Sequence, residues 1–183
     1  MLSCTIMYKI NNLLKANQDL FHTSDIASIW GISNKNTLYT SIKRYVGRGV
    51  LIPVHKGFYA TKPIEQIDSV RLGVGFLHNF AYQSCENILV EKGIIFQNIL
   101  HITLISNRSC RFTIGSKEYL VRKIADKFLY NTIGILETSG VYKATLERAV
   151  ADILYFQPNY FFDAKDNINW RQVKKIQKEV YSI

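Results

Sequence analysis

Asn34, Lys35, Asn36, Thr40, Lys43 and Arg44 crowd into one short run near the start of the chain, and His55 and Lys56 follow shortly after. The run contains amides, a hydroxyl and cations, with no carboxylate among them. An asparagine can donate to and accept from one adenine edge, and a threonine can bond a base or pack on a thymine methyl. Lysine and arginine can reach guanine or a phosphate. The set suits the major groove of double-stranded DNA. Other chemistries are poorly represented. His22, His55, His78 and His101 do not fall at metal-ligand spacing with one another or with a cysteine. The sequence contains no P-loop, no GxSxG elbow and no GxGxxG. Cys85 and His101 can be imagined as a nucleophile pair, but Cys85 falls on the apolar side of its predicted helix, where a buried structural thiol is expected. Glu147 and Asp152 are five residues apart and point in different directions on a helix, so they do not read as paired carboxylates. The expectation is a non-enzymatic protein with no cofactor and no metal.

The basic run needs elements to present it. Ile6, Ile10, Leu13 and Leu14 recur at helical spacing and predict a first amphipathic helix. Thr23 reads as the N-cap of a short helix through Trp30, with Asp25 in the first turn, where the helix dipole favours an anion. Gly31 stops that helix and Ser33 caps the next. The turn Gly31-Ile32-Ser33 is the spacing of a helix-turn-helix. On the third helix, at about 100° per residue, Leu38, Ile42 and Tyr45 point together toward a core. Asn36, Thr40 and Lys43 point about 140–200° away, with Tyr39 and Arg44 on the flanks. Asn34 and Lys35 stand at the helix N-terminus, where base edges and phosphates are met.

"VLIPVHKGFYA" follows, two β-prone runs around His55-Lys56-Gly57. Three loop residues ending in a left-handed Gly predict a hairpin, and Pro53 requires a sheet edge because it has no N–H. A basic-tipped hairpin behind such a helix is the wing of a winged helix. It places His55 and Lys56 against phosphate or the neighbouring minor groove. Winged helices also dock proteins. The alternative is therefore a non-enzymatic interaction module whose winged helix binds a protein partner.

Charge is distributed in keeping with the first reading. Of the formal +9 over 183 residues, residues 1–62 carry eight Lys/Arg against Asp19 and Asp25, while 63–183 carry fifteen against twelve acids. The basic excess thus sits mainly in the first third. Hydrophobic residues at 48% and charged residues at 20% predict a packed core and not a disordered chain. Cys4, Cys85 and Cys110 are odd in number and widely spaced, which disfavours a disulfide framework or zinc site and suits a reducing cytosol. The opening "MLSCTIMYKINNLLK" is broken by Lys9 before any signal-length apolar run, and no stretch approaches a membrane span. A cytoplasmic protein is expected.

Beyond the hairpin, 63–79 contains Pro63 and a mixed pattern and reads as a linker with at most a short element. Ser84 reads as the cap of a helix presenting Cys85, Ile88 and Leu89 on one face and ending at Gly93. "ILHITLIS", "CRFTI" and "EYLVRKI" are β-rich runs, and "TIGIL" offers a fourth strand. "ATLERAVADILYF" sets Leu146, Ala149, Val150, Ile153 and Leu154 on one apolar face. Glu147, Arg148 and Asp152 point elsewhere. They read as a solvated face with an Arg148–Asp152 pair at i,i+4, although Arg before Asp is the poorer order for one. The alternative is that Arg148 or Glu147 ties the helix to the sheet or presents a partner surface. In the tail, Trp170, Val173, Ile176 and Val180 share one side and Arg171, Lys174, Lys175 and Lys178 another. This is a docked helix with a solvated basic face, or else a second nucleic-acid or partner surface. The overall expectation is α+β, with an N-terminal winged helix-turn-helix over 1–62, a linker over 63–79 and a second small α+β domain over 80–183.

"FHTSDIASIWGISNKNTLYTSIKRYVGRGVLIPVHKGFYA" resembles the N-terminal winged helix of AbiEi-like antitoxins, from the abortive-infection toxin–antitoxin systems of bacteria. "AYQSCENILVEKGII" is similar to the family's helix after the linker, and "ATLERAVADILYF" to its "ERA..D" helix. The likeness rests on the order and spacing of these motifs and runs to about Phe156; many members carry a longer C-terminal portion. The resemblance implies a winged helix that binds an operator with inverted repeats and represses its own operon. It also implies an antitoxin-like second domain that counters a nucleotidyltransferase-like toxin without a stable complex, as in a type IV system. Glu147, Arg148 and Asp152 are the antitoxin-domain candidates under that resemblance.

Overall fold

The structure is a computed structural model that describes residues 4–182; side chains are described from residue 9 onward, which leaves those of Cys4 and Ile6 outside. The protein is mixed α+β. It divides into two compact units, 1–68 and 69–183. Among the described residues no helix is long and apolar enough to cross a membrane.

In the first unit, α1 (Cys4–Lys15) packs Ile10 and Leu13 inward. Leu14, expected on that face, is 67% exposed. It lies about 100° round the helix from Leu13 and falls outside the contact line. A short strand β1 (Leu20–His22), for which the sequence offered no prediction, leads into α2 (Thr23–Trp30). His22, not Thr23, precedes the helix, and its N–H donates to Asp25 Oδ2 at 2.7 Å. Gly31 ends α2 at φ 63°, where a side chain would strain the backbone.

The next helix, α3 (Lys35–Gly47), is capped by Asn34 in place of the expected Ser33, which lengthens the turn by one residue. Leu38, Ile42 and Tyr45 enter a core with Leu13, Phe21, Ile26, Trp30 and Leu51. The hairpin β2 (Ile52–His55) and β3 (Phe58–Ala60) completes an antiparallel sheet of order β1-β3-β2. Pro53 lies on the edge strand, where its missing N–H leaves no pairing bond unmade. His55 is drawn into β2 through a register shift after Pro53, so the turn proper is Lys56-Gly57 and not the three residues expected.

The stretch 63–79, expected as a linker, is mostly ordered secondary structure. It contains a 3-10 turn at Ile64–Gln66 and then α4 (Ser69–Leu77), which belongs to the second unit and buries Val70, Leu72 and Leu77. That unit is built on β4 (Tyr82–Gln83), β5 (His101–Ser106), β6 (Cys110–Ile114), β7 (Lys117–Lys123), β8 (Ile135–Thr138) and β9 (Val141–Ala144). The strand order is β6-β7-β5-β4-β9-β8, with β5/β7 and β4/β9 parallel and the other pairs antiparallel. The fourth predicted strand is displaced along the chain, from the run beginning at Thr132 to Ile135–Thr138, because Gly134 turns at φ 74°. Tyr119, Phe112 and Leu104 lie on the side of α4. Tyr82 and Ile105 join a core with α5 (Glu86–Glu91), α7 (Leu146–Phe156) and α8 (Trp170–Ile176). One further short helix, α6 (Asp126–Leu129), precedes β8.

Ser84 does not cap α5: Cys85 holds that position at φ 58°, and the Ser84 hydroxyl donates instead to Asp152. The tail packs as a docked helix, with Val173, Ile176 and Val180 buried and Arg171, Lys174, Lys175 and Lys178 exposed. Trp170, expected on the buried side, is instead 38% exposed at the helix start, where its ring meets Phe162 edge-on.

Candidate nucleic-acid interface

The face of α3 opposite its core residues is polar and cationic. Lys35, Asn36, Thr40, Lys43 and Arg44 are all exposed, and the helix contains no acidic residue. With four residues making slightly more than one turn, they form two adjacent rows. One is Lys35–Tyr39–Lys43 and the other Asn36–Thr40–Arg44. The helix start adds partial positive charge from its unpaired N–H groups. One of those groups is already answered. Asn34 Oδ1 accepts from the Thr37 N–H at 3.1 Å and from the Thr37 hydroxyl at 3.3 Å. The Asn34 side-chain carbonyl therefore holds the helix end.

The hairpin tip is tied to the same framework. The Gly57 carbonyl accepts the Thr23 N–H at 2.9 Å and the Thr23 hydroxyl at 3.2 Å. Gly57 is left-handed at φ 74°, and a Cβ there would come within 3.3 Å of the Thr23 hydroxyl. The His22 and Phe58 rings lie 4.7 Å apart beside it. Exposed His55 and Lys56 thus sit on a turn pinned to the first residue of α2, and α2 is joined to α3 through Gly31. Thr23, like Ser33 and Ser84, was expected as a helix cap and is not one. Its hydroxyl anchors the hairpin, and no local pattern reveals a partner 34 residues away.

The three candidates in the second unit divide differently. Glu147 is partly exposed in the first turn of α7. Arg148 and Asp152 are 0% exposed, which overturns their reading as a solvated face and removes both from any surface. Arg148 Nε donates to Asp152 Oδ1 at 2.7 Å. Its other donors reach the Asn131, Ile133 and Phe128 carbonyls and the Tyr82 hydroxyl. Asp152 also accepts from the Ser84 and Tyr181 hydroxyls. Burial is the largest influence and pulls the guanidinium pKa down, but the Asp152 carboxylate, the Tyr82 and Tyr181 hydroxyls and the hydrogen bond to Asp152 together hold Arg148 above its usual value. Burial, reinforced by Asp152, pushes the Tyr181 hydroxyl up. The network ties α7 to β4, to the segment before β8 and to the chain's last turn, as the alternative reading from sequence had it.

Cys85 is fully buried, and burial raises its thiol well above the usual value, so a thiolate is disfavoured there. Among the described residues no group of three His, Cys, Asp or Glu side chains could hold a metal ion. The chain matches no protein-family model, and no curated protein matches it.

Proposed function

We propose that this protein is a DNA-binding transcriptional regulator whose first unit works as a winged helix-turn-helix. The exposed face of α3 enters the major groove, and the β2–β3 hairpin is the wing. One observation carries the proposal: a helix anchored by Leu38, Ile42 and Tyr45 displays five polar or basic side chains and no acid, and the same unit holds a basic hairpin tip pinned by Thr23. Asn36 and Thr40 are the base readers. Lys35, Lys43 and Arg44 supply charge to bases or phosphates, Asn34 orients the helix start, and His55 and Lys56 meet the backbone. The resemblance to AbiEi-like antitoxins extends the proposal to autorepression at inverted repeats and to antagonism of a nucleotidyltransferase-like toxin. In that scheme Arg148 and Asp152 maintain the fold of the second unit, and any contact belongs to residues on its surface.

Variant binding tests the division of labour. Asn36→Ala relaxes base preference at one position of a selected site. Lys56→Ala weakens native and shuffled duplexes alike and lowers the salt dependence by about one phosphate. Equal affinity of wild type, Asn36→Ala and Lys56→Ala for every duplex contradicts the proposal.

A further inference from the structure

Tyr39 belongs to neither hydrophobic core among the described residues and has no assigned part in the interface. It stands at the centre of the Lys35–Tyr39–Lys43 row and is 54% exposed. Among the described residues neither its ring nor its hydroxyl has a protein partner, whereas Tyr45 on the opposite face packs on Trp30 with ring centroids 4.8 Å apart. Lys35 and Lys43 flank it at one turn on either side and are separated by about 12 Å along the axis. That spacing is comparable to the width of the major groove, about 12 Å.

We infer that the Tyr39 ring is a specificity-determining contact that packs on the C5 methyl of a thymine in the major groove. The inference rests on the DNA reading of the same helix. Two ammonium groups at the ends of the row are suited to phosphates or guanine, so the ring between them meets base edges. Thymine's methyl is the apolar group that the four base pairs offer in that groove. A flat, largely exposed ring there gains by covering it, and no carboxylate on α3 competes for the neighbouring cations.

The test begins with sites selected by the full chain from a random double-stranded pool. Failure to select any consensus defeats the DNA reading itself. On the selected duplex each thymine is replaced in turn by deoxyuridine, which removes only the methyl group, and binding is measured at low salt so that weakened variants still bind. One replacement weakens wild-type binding about fourfold, the worth of one buried methyl group. Tyr39→Ala binds the thymine and deoxyuridine duplexes equally, and Tyr39→Phe keeps the fourfold difference. A full deoxyuridine penalty in Tyr39→Ala overturns the inference. So does the absence of any penalty in wild type, or a penalty abolished by Thr40→Ala and not by Tyr39→Ala.

Discussion

A guanidinium carries five N–H donors, and the five bonds that Arg148 makes to Asp152, Tyr82 and three backbone carbonyls answer all of them. Removing one partner leaves the other charge buried and unanswered, which costs about 3–5 kcal/mol. Arg148→Ala is therefore expected to lower the denaturant midpoint of the second unit sharply. The paired change Arg148→Met with Asp152→Leu is expected to be milder than either single loss, as measured by urea unfolding followed by circular dichroism. The sequence carried half of this information. Arg preceding Asp at i,i+4 is a poor surface pair, which pointed away from solvent. The carbonyls that Arg148 meets, however, come from the four-residue α6 (Phe128) and the irregular stretch after it (Asn131 and Ile133), neither long enough to show a pattern. At the other end of the chain, Asn34→Ala removes the bond to Thr37 and should cost about 1 kcal/mol of first-unit stability. Asn34→Asp should retain most of it. The cap was read one residue early because Ser33 and Asn34 are both good caps, and only geometry distinguishes them.

Among the elements, long periodic stretches were legible and short ones were not. The buried face of α3 and the alternation of β6 and β7 follow from spacing, whereas β5 was legible from its β-prone composition, since Thr103, Leu104, Ile105 and Ser106 are all buried. β1, β4 and β9 are three, two and four residues long, too short for alternation to register, and pairing with distant partners makes them strands. α4 was missed because Pro63 and the mixed pattern after it read as a linker, and the helix itself contains Gly73 and Gly75. Gly73 is there because the helix lies tight against the sheet: a Cβ would sit 2.4 Å from the Tyr119 ring and 3.0 Å from Leu104. Gly73→Ala should thus destabilise the second unit by about 1–3 kcal/mol despite alanine's better helix propensity, because α4 or the Tyr119 ring must move. An unchanged or raised unfolding midpoint for the second unit would contradict that packing.

On the scale of the whole chain, the α+β class followed from composition and pattern, but the boundary did not. The division after Asp68 assigns α4 to the second unit. The buried phenols give the stability of that unit a pH dependence. Burial first, and the Asp152 carboxylate second, raise the Tyr82 and Tyr181 hydroxyls above the ordinary 10.0. Near and above pH 10 the unfolded chain loses those protons while the folded chain keeps them, so folding stability falls as pH rises through that range. The urea midpoint should drop between about pH 9 and pH 11, and Tyr181→Phe should flatten the decline. The central claim is that the basic first unit reads DNA sequence. It is tested most directly by measuring binding of the full chain to the DNA upstream of its own gene and to a shuffled duplex across a salt series. The account predicts a preference for the native duplex and a log affinity that falls by about 0.9 per phosphate neutralised for each tenfold rise in salt. Equal and weak binding to both duplexes would mean that this charge does not serve to read sequence.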